Sequence, residues 1–347
     1  MGTRLSARFK YAVSRPINAI TGKKLWSYKT GDGIYSSPAV TDGVVYVGSN
    51  DGNLYALNAL TGRKKWAYYT GGGWFAPAVA NGVVYVGSAR ESGDDVYALK
   101  ADTGALLWSF AARFSVYSSP AVVRGVVYIS SLDFDLYALD ARTGALLWSF
   151  GTEGQMFASP VVANGLVYTD WFGGDVYAVN ASSGSQLWSF YTGWPESDEA
   201  SAAVADGVVY IGSSAGSIYA LDGTTGTELW SYSPVGYVSL SAPAVANGVV
   251  YVGTWDNNAY ALSASTGKRL WSYTTGGYLE GSPTVANGIV YVGSDDGNVY
   301  AFGLSHDASQ AEENSKRPDP RTLRPDFRLE SGRDTHEDLG LEGSKDT

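Results

Sequence analysis

The chain has 347 residues, a formal net charge of -10 from 24 Lys and Arg against 34 Asp and Glu, and no cysteine. That acidity argues against nucleic-acid binding, which needs a basic groove to neutralise phosphates, and the missing cysteines exclude disulfides and thiol chemistry. No apolar run reaches the ~18 residues that a membrane-spanning helix requires.

Residues 1–15 read as an N-terminal extension. They are basic, but lack the continuous apolar stretch and small-residue cleavage site of a secretory signal. Within them Lys10–Val13 (KYAV) resembles one strand of the repeat that follows, which leaves an eight-bladed parent as the alternative to the seven blades counted below.

From residue 16 to 303 the chain is periodic. Trp26, Trp66, Trp108, Trp148, Trp188, Trp230 and Trp271 recur at intervals of 40 to 42 residues, a period that marks radial repeat architectures. Each unit carries four strand signals. The first is an xPAV run, closed by a two-residue turn such as Asp42-Gly43, Asn81-Gly82 or Asn247-Gly248, pairs that tolerate positive φ and suit tight hairpins. A VVYVGS run rich in β-branched and aromatic residues follows, then a VYAL run, a Thr-Gly or Ser-Gly turn, and the strand that ends on tryptophan. Four antiparallel strands per unit make one propeller blade. The three-strand group and the tryptophan strand each occur seven times, but the first tryptophan strand precedes every group and the last group lacks one. The expected fold is therefore an all-β, seven-bladed propeller, closed by pairing of Leu25–Lys29 with the sheet that ends at Phe302. The tryptophans are read as structural docking residues, because a part present in every blade marks no single site.

The stretch Ala138–Trp148 (ALDARTGALLW) has the form Ala-x-Asp-x-x-Thr-Gly-x-x-x-Trp and resembles the tryptophan-docking motif of the pyrroloquinoline-quinone-like (PQQ-like) repeat. Ala98–Trp108, Ala178–Trp188, Ala220–Trp230 and Ala261–Trp271 keep its spacing, with Asn58, Asn180, Lys100 and Ser263 where aspartate is usual. The resemblance covers about residues 16 to 303. It implies a propeller and an extracytoplasmic setting, although the chain shows no signal peptide and its compartment stays open. It spans functions from quinone-dependent alcohol dehydrogenases to an outer-membrane barrel-assembly lipoprotein, and a fold hosts many unrelated sites. In the dehydrogenases it implies PQQ on the propeller axis beside a vicinal disulfide, with calcium held by Glu and Asn. The disulfide is impossible here.

Function is expected in what varies from blade to blade. The turns from strand two to three, and from strand four to the next blade, share one face. They carry Trp74, Phe75, Trp194, Tyr237 and Tyr278 from one loop set and Trp171, Phe172 and Trp255 from the other, with Phe114, Phe134, Tyr117, Met156 and Phe157 beside them. Aromatic side chains on loops of a rigid scaffold suit recognition of a protein or polysaccharide. The same face carries carboxylates. Asp256-Asn257-Asn258 and Asp295-Asp296-Gly297-Asn298 could supply oxygen ligands to calcium, but such strings are also ordinary turns. The expected function is a non-catalytic, monomeric scaffold without cofactor, metal or catalytic residue. The alternative is a PQQ- and calcium-dependent dehydrogenase or another carboxylate-based propeller enzyme.

Residues 304–347 are rich in charge and poor in aromatics, contain both histidines, His306 and His336, and are expected to be a disordered tail. Histidine catalysis within the repeats is thereby excluded.

Overall fold

A computed structural model describes residues 24–72, 76–89, 96–193, 201–213, 216–234 and 241–303. The described residues hold 27 strands and no helix, in seven antiparallel sheets. Blades 1 to 6 span residues 39–69, 78–110, 121–151, 161–191, 203–232 and 244–274 and have four strands each, and blade 7, residues 284–303, has three. First strands of consecutive blades meet one another from blade 1 to blade 7, so they form the hub and the tryptophan strands the outer edge of a propeller.

Local chemistry sets the hairpins. Asp42, Asn81, Asn164, Asp206, Asn247 and Asn287 take φ between 49° and 53°, each followed by a glycine with positive φ, the two left-handed residues that a type I′ turn needs. In each of blades 1 to 6 a register shift between strands three and four falls just past the alanine opposite the tryptophan, as at Ala138/Leu139 opposite Trp148. Such a bulge adds twist and re-aims the side chain beside it.

The core lies between blades. Tyr46, Leu54, Ala56 and Trp66 of blade 1 pack on Val84, Val86, Tyr97 and Leu99 of blade 2, and the same layer recurs around the disc. The indole N–H groups of Trp26, Trp66, Trp108, Trp148, Trp188 and Trp230 donate to the main-chain oxygens of Ala59, Ala101, Ala141, Ala181, Gly223 and Ala264 in the following blade, at 2.9 to 3.1 Å. From Ala101 onward each of those oxygens also accepts a tyrosine O–H, as from Tyr85 to Ala141 at 3.0 Å. Both lone pairs of one carbonyl are thus used to join two blades. Nearer the hub, the N–H groups of Ala76, Ser119 and Ser159 donate to Ser119, Ser159 and Ser201 Oγ, each in the next blade, at 2.9 to 3.0 Å.

The ends are less regular than the blades between them. The sheet of blade 7 contains its own three strands only, and Lys24 and Tyr28 sit in isolated bridges. Trp26 docks on blade 1 as Trp66, Trp108, Trp148, Trp188 and Trp230 dock on their successors. Tyr291 is 38% exposed, whereas its counterpart Tyr251 is 4% exposed and packed on Trp271.

Candidate binding face

In blades 1, 3, 4 and 7 the turn from strand two to three is tied to the loop that enters the same blade. Asn50, Leu132, Phe172 and Asp295 donate their N–H groups to the oxygens of Gly33, Ser115, Gln155 and Tyr278 at 2.8 to 3.0 Å. The two loop sets therefore form one continuous surface on a rigid base.

Most aspartates of these turns serve the turn itself. Tyr55, Tyr137, Tyr260 and Tyr300 donate their O–H groups to Asp51, Asp133, Asp256 and Asp296 at 2.6 to 2.7 Å. Asp51, Asp133 and Asp296 also accept the N–H groups of Gly31, Arg113 and Gly276 in the entering loops at 2.7 to 2.8 Å. Burial opposes ionisation of Asp51, but hydrogen bonds from Tyr55, Asn53 and Gly31 outweigh it and hold its carboxyl below the usual range. For Tyr55, burial and the adjoining carboxylate push the phenol up to about 12.

The turn carboxylates fit calcium poorly. Asp256 is engaged by Thr254, Asn258 and Tyr260, and the described residues hold no group of three His, Cys, Asp or Glu that could bind a metal ion. The donors are spent on turns and loops.

Phe172, Trp255 and Tyr278 are exposed, and Trp255 stacks on Tyr278 with ring centres 6.0 Å apart. Phe172 continues a line of rings through Phe157 to Tyr117, at 6.0 and 6.1 Å. Trp171 stands apart from them. Its indole donates to Asp175 at 3.0 Å, and a Cβ on Gly154 or Gly173 would fall 2.4 or 2.1 Å from its ring, so it packs into the turn. Met156 is buried, contrary to its expected place on the face, because it fills the layer between blades 3 and 4. Trp74, Phe75, Trp194 and Tyr237 lie outside the described residues.

Two features escaped sequence reasoning. In blades 1, 3 and 6 the N–H of Gly48, Ser130 and Gly253 donates to Ser36, Ser118 and Ser241 Oγ at 2.9 to 3.0 Å. Blade 4 has Asp170 and Ala158 at these places. Burial pushes the Asp170 carboxyl up to about 7, opposed by a hydrogen bond from its own N–H, so the carboxylate stands in for the missing hydroxyl. Second, Phe134 occupies the left-handed position of its turn at φ 77°, where other blades place Gly52, Gly174, Gly216, Asn257 and Gly297. Both substitutions are visible as breaks in the aligned repeat phrase.

No curated protein sequence matches the chain. Among solved structures, BamB from Moraxella catarrhalis is 21% identical with a TM-score of 0.72, over 88% of this chain and 100% of that one. The computationally designed Ika8 protein is 18% identical with a TM-score of 0.75, over 88% and 94%. Quinohemoprotein alcohol dehydrogenase from Comamonas testosteroni is 16% identical with a TM-score of 0.69, over 84% and 70%. At these identities the likeness concerns the fold. A family model described as outer membrane protein assembly factor BamB matches residues 15–73, 69–188, 95–241 and 235–324, nearly the whole repeat region, and the chain belongs to that family of PQQ-like repeat propellers.

Proposed function

We propose that the protein is a non-catalytic scaffold that binds a protein partner through the loop face of its propeller, in an extracytoplasmic, outer-membrane-associated setting. The observation that carries this reading is the exposure of Phe172, Trp255 and Tyr278 on loops joined to one another by main-chain hydrogen bonds. Exposed large aromatics on a rigid base are anchors for association, since little order is lost when they are buried. Family membership supports it, because the matching family is described by an assembly role. Catalysis is disfavoured by the engagement of the turn carboxylates in structural hydrogen bonds.

The test compares wild type with a Phe172→Ala, Trp255→Ala, Tyr278→Ala triple variant, immobilised in a membrane-solubilised lysate. Proteins held by wild type and lost by an equally stable triple variant are the expected outcome. Equal capture by both removes the reading. A quinone-dependent dehydrogenase is the second reading, favoured by the fold likeness to quinohemoprotein alcohol dehydrogenases. Reduction of a dye by the protein with PQQ, calcium and an alcohol would establish it.

A further inference from the structure

We propose that the sector of the face formed by blades 3 and 4 is a docking site for a cationic segment of a partner protein with apolar side chains between its charges, anchored on Phe134. The inference rests on the scaffold reading and names the partner chemistry of one part of that face.

Phe134 is the observation that leads to it. At its position the turn asks for a left-handed residue, and Gly52, Gly174 and Gly216 supply one at φ 85° to 92°. A bulky side chain at positive φ is strained. The residue is nevertheless phenylalanine, and 43% of it is exposed, so the strained position is held by a ring that the fold leaves partly open to solvent. Room for the ring comes from a second substitution. In blade 1 the Tyr69 ring lies against the turn glycine, 2.3 Å from where a Cβ on Gly52 would be. Blade 3 has Gly151 at the place of Tyr69.

Phe134 does not stand alone. Phe114, 62% exposed, lies on the neighbouring loop, which Ser131 and Asp133 bind through the oxygen of Phe114 and the N–H of Arg113. Thr152 donates both its N–H and its O–H to the Phe134 oxygen, which ties that turn to the loop entering blade 4. Phe172, in the corresponding turn of blade 4, is a third exposed ring on the same face.

Charge decides the occupant. The sector carries Asp133, Asp135, Glu153 and Asp175, with Arg113 as the cation beside them. Asp135 has its carboxyl raised by burial and then by Asp133, with Arg113 and hydrogen bonds opposing. A lysine or arginine brought to Asp135 would relieve that repulsion, whereas an acidic segment would add to it.

The test uses the whole chain and a fluorescent peptide with leucines flanked by lysines in a glycine-serine background. Controls replace lysine with glutamate, or leucine with serine. Anisotropy should report binding of the lysine-leucine peptide only, weakening as salt rises. Phe134→Gly should weaken it at least tenfold while the variant melts no lower than wild type, because glycine is the residue this turn favours. Asp135→Asn with Glu153→Gln should weaken it by a similar factor and flatten the salt dependence. The inference is overturned if no lysine-leucine peptide binds, if the glutamate peptide binds equally, or if Phe134→Gly binds as wild type. Should Phe134→Gly also keep every protein that the Phe172, Trp255 and Tyr278 triple variant loses, this sector is wrong while the scaffold reading stands. Should no face variant change capture, the scaffold reading itself fails.

Discussion

Trp108 rests on Gly144. The Cα hydrogen side of the glycine faces the indole so closely that a Cβ there would lie 2.7 Å from the ring, while the indole N–H reaches Ala141 at 3.0 Å. The same pairing joins Trp26 to Gly62, Trp66 to Gly104, Trp148 to Gly184, Trp188 to Gly226 and Trp230 to Gly267. The glycine of each Thr-Gly or Ser-Gly turn is therefore a platform for the preceding blade as well as a turn residue.

Gly144→Ala should destabilise the protein by about 3 kcal/mol, combining a strained left-handed alanine with an overpacked indole. Gly125→Ala is the control, since φ is again positive at 79° but nothing lies within 4 Å of the added methyl. It should cost only about 1 kcal/mol. Urea titration of both variants checks the difference, and equal midpoints would refute the platform role.

Trp171 and Trp255 look equivalent as tryptophans on variable turns, yet their packing separates them. Trp171→Ala removes a hydrogen bond to Asp175 and a ring wedged between Gly154 and Gly173, and should cost about 2 to 3 kcal/mol. Trp255→Ala should change stability by less than about 1 kcal/mol, since its ring is exposed and stacked on Tyr278. Thermal melts of the two variants decide.

Asp170 makes stability depend on pH in a direction opposite to most carboxylates. Its carboxyl titrates near 7 in the fold and near the ordinary ~3.9 when unfolded. Its contribution is complete below the unfolded value and is lost as pH rises through about 7. Asp170→Asn should therefore gain on wild type between pH 5 and 8, by up to about 2.5 kcal/mol. Denaturation at the two pH values measures it. Parallel losses in both proteins would show that Asp170 is not the group responsible.

Ala158 and Asp170 should also be coupled. Asp170→Gly alone leaves a buried N–H without its acceptor, whereas Asp170→Gly with Ala158→Ser recreates the Gly48 and Ser36 pair. A double-mutant cycle should give a favourable coupling of about 1 to 2 kcal/mol. Additive effects would mean that the hydroxyl cannot take the carboxylate's place.

Much of the architecture was legible because backbone chemistry is local. Asn164-Gly165 announces a turn by the conformations these two residues tolerate, and both take positive φ, at 53° and 79°. VVYVGS and VYAL announce strands by their alternation and branching. Contacts between blades are not local, so Gly144 could be read as a turn residue but not as the seat of Trp108. The same limit applies at the face: Asp51 and Asp133 offer acceptors in any turn, and only the fold shows that Tyr55 and Tyr137 take them. Phe172, Trp255 and Tyr278 were identifiable as departures from the repeat, whereas the different duties of Trp171 and Trp255 depend on glycines across the turn.

The uncovered Tyr291 has a kinetic consequence. In a chain of modules held by nearest-neighbour contacts, opening starts where a module is least covered by its neighbours. Amide hydrogens of the last module, residues 284–303, should exchange with solvent before those at the centre, and protection should climb step by step toward blades 3 and 4. Unravelling would then run from that end inward, leaving the sector around Phe134 folded longest.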